Sequence, residues 1–177
     1  MAGKMLLAGF GGQGILFAGK MFTYAGMLEG KNVTNIPEYG PEMRGGTCNC
    51  SVIIDENPIG SPLVLEPDIL IAMNLPSLAR FENAVAPGGK IFIDNTLIDR
   101  KTIREDVDAY YIPATRLAAE AGIPKLANVI IVGKVIRESG ICSMEIMDKV
   151  LEKVVPPSRQ ALIAPNKKAL EIGYNFE

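Results

Sequence analysis

The chain has 177 residues, 48% of them hydrophobic and 21% charged, with a formal net charge of −2. That balance belongs to a folded globular protein with a core of its own; it excludes a disordered tail and offers no basic field for a nucleic-acid backbone. Histidine is absent, which removes the usual neutral-pH general base and the commonest metal ligand and argues against a self-contained hydrolase.

In chain order, residues 4–10 (KMLLAGF) form a compact apolar run closed by glycines, the pattern of a buried strand. A helix is predicted over 14–28, where Ile15, Ala18, Gly19, Phe22 and Ala25 recur at helical spacing and Gly30 supplies a stop. Residues 32–36 suit a second strand, expected to end at Pro37. Residues 48–55 alternate in strand fashion, and Asp55-Glu56-Asn57-Pro58 should turn the chain like a hairpin. The continuous apolar runs 68–73 and 90–94 suit strands covered on both faces, with a helix over 76–84 and a turn at Pro87-Gly88-Gly89 between them. Residues 108–113 are a further strand.

The last third reads as mostly helical. Ser143 is placed to cap a helix whose apolar stripe is Ile146, Met147, Val150, Leu151 and Val154. Pro156-Pro157 ends it, and a last helix is expected within 158–172. Strands alternating with helices predict an α/β fold, a three-layer α/β/α sandwich around a mixed, mostly parallel sheet, with residues 1–177 as a single domain.

Two segments carry the chemistry. Gly9-Phe10-Gly11-Gly12-Gln13-Gly14 satisfies G-x-G-x-x-G between a strand and a helix, the setting in which glycine amides and a helix start favour an anion. The acid that a dinucleotide site needs about 20 residues later is missing: that stretch reads Asn32-Val33-Thr34-Asn35-Ile36-Pro37, and Glu38 comes only after the proline. No Lys-Ser or Lys-Thr follows Gly14, so the phosphate loop of nucleotide hydrolases is excluded too. The glycines then serve either close packing of helix on strand, or a phosphate-bearing ligand or neighbouring subunit. The second segment runs Glu38-Tyr39-Gly40-Pro41-Glu42-Met43-Arg44-Gly45-Gly46-Thr47. Arg44, beside two glycines, could grip a carboxylate or phosphate with two prongs, or pair with Glu38 or Glu42 and pin its own loop.

These two motifs, GFGGQGILFAGK and YGPEMRGGTCNCSVII, resemble the gamma subunit (domain III in fused enzymes) of the 2-oxoacid:ferredoxin oxidoreductases. The similarity continues through PDILIAM, PGGKIFID, ANVIIVG and NKKALEIG and so covers nearly the whole chain. The resemblance implies a subunit of an enzyme that oxidatively decarboxylates 2-oxoacids on thiamine diphosphate, passes electrons through iron–sulfur clusters to ferredoxin and makes an acyl-CoA. It implies alpha and beta partners, a ferredoxin-like delta subunit, and thiamine diphosphate, magnesium and clusters held by those partners. The indolepyruvate oxidoreductases have a similar small subunit.

On that basis no catalytic or metal-binding residue is expected, and no cofactor is bound by the chain alone. The residues expected to face coenzyme A or a partner subunit are Gly9, Gly11, Gly12, Gln13, Gly14, Tyr39, Gly40, Arg44, Gly45 and Gly46. The favoured substrate is 2-oxoglutarate, with branched-chain 2-oxoacids or pyruvate as alternatives. The rival functions are a stand-alone dinucleotide-binding protein and a pure interaction module. Three cysteines, an odd count with no repeated spacing, suit a reducing cytoplasm; Cys48 and Cys50 read as small core residues. Asn128 and Asn166 read as helix caps, and Met43 as gap filler. The apolar runs are too short to span a bilayer, and the N-terminus does not read as a leader.

Overall fold

The computed structural model describes residues 3–39 and 47–177. The elements follow as β1 (Gly3–Phe10), α1 (Ile15–Leu28), β2 (Asn32–Tyr39), β3 (Thr47–Asp55), β4 (Ile69–Ala72), α2 (Leu75–Phe81), β5 (Lys90–Asp94), β6 (Asp108–Ile112), α3 (Ala114–Glu120), α4 (Ala127–Ser139), α5 (Met147–Val154) and α6 (Ile163–Asn175). The six strands form one sheet in the order β2-β3-β1-β4-β5-β6. The β1–β4, β4–β5 and β5–β6 pairs are parallel, and β3 alone runs against both its neighbours, β1 and β2. The sheet is therefore mixed and mostly parallel, as expected.

The strand alternation sorts side chains to two cores. Met5, Leu7, Cys50, Val52, Ile54, Ile71 and Phe92 pack against α1, α3, α4, α5 and α6. Leu6, Leu70, Ala72, Ile91 and Ile93 pack on the opposite face against Leu78 of α2 and against Val85 and Ile98. Helices thus lie on both faces, and this is the predicted α/β/α sandwich. The two-faced burial of β4 and β5 explains why their sequences are continuous apolar runs rather than alternating ones.

α4 and α6 approach each other unusually closely. A Cβ on Gly133 would strike the Leu170 carbonyl, and one on Gly173 would strike the Ile130 carbonyl. Both glycines are needed for the backbones to meet.

Four expectations are corrected. β2 runs through Pro37 to Tyr39, because β2 lies at the sheet edge, where a missing N–H leaves no central ladder bond unmade. The hairpin joins β2 to β3 across residues 40–46, whereas the turn after Asp55, held by Asn57 N–H donating to Asp55 Oδ1 at 2.9 Å, leads away to β4. Ser143 does not cap α5, which starts at Met147; its own N–H donates to Glu29 Oε1 at 2.7 Å and ties that loop to the end of α1. The last helix begins after a 3-10 segment, Pro157–Leu162, and runs to Asn175, three residues beyond the expected end.

Candidate functional site

β1 is a central strand, and its carboxyl end delivers the glycine loop between sheet and helix layer. Gly12 and Gly14 have φ of 98° and 76°, a region that side-chain-bearing residues rarely enter. A Cβ on Gly12 would meet nothing within 4 Å, so that side of the loop is open, and Gly11 is exposed as well. Gly9 is different: a Cβ there would come to 2.7 Å from Gln13 Oε1 and 2.8 Å from Ile15 Cδ1. Gly9 therefore serves packing, while Gly11 and Gly12 present backbone outward.

Gln13 staples the loop. Phe10 N–H donates to its Oε1 at 2.6 Å, and its Nε2 donates to the Met73 carbonyl at 2.8 Å. Asn74, which caps α2 by accepting from Ser77 N–H at 2.8 Å, also donates to Gln13 Oε1 at 3.4 Å. The Gln13 side chain thus closes the crevice between the β1 and β4 loops.

α1 starts at the Gly14 cap without a side-chain hydrogen bond and without an acid in its first turn. Its leading amides lack the usual capping acceptor, and together with the helix dipole they favour an anion.

The second segment reaches the same edge of the sheet. Gly9 pairs with Cys48 and Phe10 with Thr47, while Cys48 pairs in turn with Tyr39. The ends of β2 and β3 that carry the 40–46 connection are therefore level with the end of β1. Gly40, Met43, Arg44, Gly45 and Gly46, and the side chain of Tyr39, lie outside the described residues.

Topology accounts for the missing ribose acid. In a dinucleotide fold the strand carrying that acid lies directly beside the first strand. Here β3 is inserted between them, so β2 stands two strand spacings, about 10 Å, from β1. Glu38, near the end of β2, is on the wrong strand position for the role.

Cys50 is buried beneath α1, and its thiol donates to Asn35 Oδ1 at 3.2 Å. Burial pushes its pKa up to about 12, and Cys142 is likewise pushed up to about 12. Cys48, half-buried, packs against the same core as Cys50 and is raised by burial too. Inert, protonated thiols on a packed strand do not suit an iron–sulfur cluster. Among the described residues, no group of three or more His, Cys, Asp or Glu side chains could hold a metal ion, and no helix is long and apolar enough to cross a membrane.

The two asparagines do not act as caps. Asn128 lies inside α4 and donates from Nδ2 to the Gly14 carbonyl at 2.9 Å. Asn166 lies inside α6 and donates to the Leu162 carbonyl at 2.8 Å. The cause is burial: at 4% and 2% exposed, each amide must find a nearby carbonyl, and a helix start facing water would not bury it. Gln13–Met73 and Asn128–Gly14 are the supports that sequence reasoning missed. Their only sequence signal was polar amides set in apolar or glycine-rich runs.

Residues 4–176 match the family described as pyruvate ferredoxin/flavodoxin oxidoreductase. The chain belongs to that family. Its relatives within the family include 2-oxoglutarate synthase subunit KorC of Methanocaldococcus jannaschii, 36% identical over 159 residues, which cover 88% of this chain and 85% of the relative. Ketoisovalerate oxidoreductase subunit VorA of Methanothermobacter thermautotrophicus is 41% identical over 130 residues, 73% of this chain, but the match takes in only 27% of that longer protein. The same fold is seen in the gamma subunit of a keto/oxoacid ferredoxin oxidoreductase from Geobacter sulfurreducens PCA, with a TM-score of 0.86 at 24% identity over 98% of this chain and 95% of that one. The family resemblance read from the two motifs is thereby shown: the chain is of the gamma type, a subunit of a 2-oxoacid:ferredoxin oxidoreductase.

Proposed function

We propose that this single-domain subunit serves a thiamine-diphosphate-dependent enzyme acting on 2-oxoglutarate, and that its glycine loop and its 40–46 loop face coenzyme A where the acyl group is transferred. The observation that carries the reading is the strand register Gly9–Cys48–Tyr39, which brings both motif segments to one edge of the sheet. There, the open glycine backbone and the uncapped start of α1 suit a pyrophosphate, and Arg44 is the residue type in the neighbouring sequence motif that can grip a phosphate with two prongs. The thiamine, magnesium and iron–sulfur clusters belong to alpha, beta and delta partners, and ferredoxin is the acceptor of the cytoplasmic complex. 2-Oxoglutarate is preferred because, among relatives matched along most of both chains, one named for it is 36% identical, against 31% for one named for pyruvate and ketoisovalerate.

The test is reconstitution. With alpha and beta subunits supplied, the chain should support 2-oxoglutarate-dependent reduction of a viologen dye; alone it should support none. Arg44→Ala should lower the CoA-dependent rate and spare CoA-independent decarboxylation. Gly12→Val should do more damage, because a β-branched residue cannot hold the positive φ. An Arg44→Ala enzyme with a normal CoA step and a much lower melting temperature would reduce Arg44 to a pin for its own loop.

A second substrate reading is ketoisovalerate, favoured by the higher identity to VorA over the shared region. Faster turnover of 3-methyl-2-oxobutanoate than of 2-oxoglutarate by the reconstituted enzyme would establish it.

A further inference from the structure

The carboxyl ends of β1 and β4 part at the point where the chain changes face. β1 leads into α1 on one side of the sheet, and β4 leads into α2 on the other. Such a switch point leaves the crevice in which open α/β sheets hold their ligands. The parallel pairing there runs as far as Ala8 opposite Ala72, and Met73 N–H donates to the Ala8 carbonyl at 2.9 Å. The next rung of a parallel ladder would join Phe10 N–H directly to the Met73 carbonyl. A side chain takes its place. Gln13 Oε1 accepts from Phe10 N–H at 2.6 Å, and Gln13 Nε2 donates to the Met73 carbonyl at 2.8 Å. The carboxamide stands in for a peptide group, satisfies both strand ends and keeps them one amide apart.

The same insertion shapes the glycine turn. Gln13 N–H donates to the Phe10 carbonyl at 3.1 Å while Gln13 Oε1 takes the Phe10 N–H, so the turn over residues 10–13 is closed twice. Gly11 and Gly12 lie exposed between these anchors, with Gly12 held at a φ of 98°. Gly9 admits the carboxamide, since a Cβ there would come to 2.7 Å from Gln13 Oε1. Asn74 Nδ2 braces the same oxygen from the start of α2 at 3.4 Å. Both polar atoms of the Gln13 side chain are thus committed to the protein, and the outward surface of the turn is left to backbone.

We propose that Gln13 is a positioning residue: by spacing β1 from β4 it holds the Gly11–Gly12 amides in the geometry that receives the coenzyme A pyrophosphate, without touching the ligand itself. This role rests on the coenzyme A reading of the glycine loop and adds to it the group that sets the affinity. A turn already held in its bound shape has little ordering left to lose on binding. Without the carboxamide, Phe10 N–H and the Met73 carbonyl can pair directly. β1 and β4 then zip one rung further, and the turn loses its second closure.

The test uses the reconstituted enzyme with the full chain and varied coenzyme A. Gln13→Met keeps the side-chain length and removes both bonds. It should raise the KM for coenzyme A roughly tenfold or more, with kcat changed by less than about twofold and the KM for the 2-oxoacid unaltered. Gln13→Glu keeps the acceptor for Phe10 N–H but sets a carboxylate oxygen against the Met73 carbonyl. Its KM for coenzyme A should exceed that of wild type at neutral pH, and the excess should shrink in acid, where a protonated carboxyl donates to Met73 again. This second variant carries the test should Gln13→Met fail to fold. An unchanged KM for coenzyme A, an equal rise in the KM for the 2-oxoacid, or an excess in Gln13→Glu that does not vary with pH would overturn the proposal. Gly12→Val separates it from the reading beneath it. If that variant raises the KM for coenzyme A and Gln13→Met does not, Gln13 alone loses its role; if neither does, the coenzyme A reading falls and takes the proposal with it.

Discussion

Asn128 holds Gly14 from across the fold: its Nδ2 donates to the Gly14 carbonyl at 2.9 Å, and that carbonyl also accepts from Ala18 N–H inside α1. The start of α1 is thereby fixed to α4, far away in the chain. A Cβ on Gly14 would run into the same Asn128 amide, so the glycine and the asparagine constrain each other.

That coupling is measurable by a double-mutant cycle. Gly14→Ala alone carries both the strain of a positive φ and the collision with Asn128, and should cost more than about 2 kcal/mol. Asn128→Ala alone loses one hydrogen bond and should cost about 1 kcal/mol. In the Asn128→Ala background the Gly14→Ala penalty should shrink towards the backbone strain alone, read as non-additive urea midpoints. Strict additivity would show that the two residues do not meet.

The α4–α6 contact predicts a sharper loss. Gly173→Ala places a methyl group against the Ile130 carbonyl, and backbone cannot yield as a flexible side chain does. A destabilisation of about 3 kcal/mol is expected. Gly122→Ala, with open space around its Cβ position, tests the alternative that any glycine replacement does the same; it carries positive-φ strain without a collision and should cost less.

Much of this was legible in the sequence and some was not. Continuous apolar runs placed β4 and β5, and spacing placed α1, because each element's burial is written in its own residues. The reach of β2 past Pro37 was not legible, since an edge position depends on which strands pair and not on the strand itself. Asn128 and Asn166 were misread for a related reason: an amide near a helix start looks like a cap until the packing of α1 and α6 against α4 shows that water cannot reach it. For the site, the glycine motif and its missing acid were both visible, but the cause of the absence, β3 standing between β1 and β2, is a fact of topology.

Acid should expose one buried carboxylate. Glu82, 2% exposed, accepts from Arg100 Nη2 at 2.7 Å, from Thr102 Oγ1 at 2.8 Å and from Ile103 N–H at 3.2 Å. Burial pushes its pKa up, but these donors outweigh burial and hold it below the ordinary value. A depressed folded pKa contributes stability above the unfolded value of about 4.3, and that stability is lost as pH falls through the folded value. Glu82→Gln should therefore lower the melting temperature at pH 7, at a cost of about 1–3 kcal/mol, and the gap to wild type should narrow in acid. A gap that is constant with pH would mean the charge of Glu82 is unimportant.

The cysteines should differ in reactivity only in the folded chain. With Cys50 and Cys142 pushed up to about 12 by burial, neither should react with a thiol reagent in the native chain at neutral pH, and half-buried Cys48 should react slowly. In denaturant all three should titrate together. Rapid native labelling of Cys50 would contradict its place beneath α1.

Pro37 bears on how this subunit can associate. β2 is an outermost strand, and a proline keeps its register with β3 only if its nitrogen faces away from that partner. An incoming strand would then find a gap among the outward donors, at the position where a hydrogen bond should form. Sheet-to-sheet growth, the common route from a bare strand to fibres and swapped dimers, is blunted on this side. Replacing Pro37 with threonine would restore the donor, and with it the hazard of self-association.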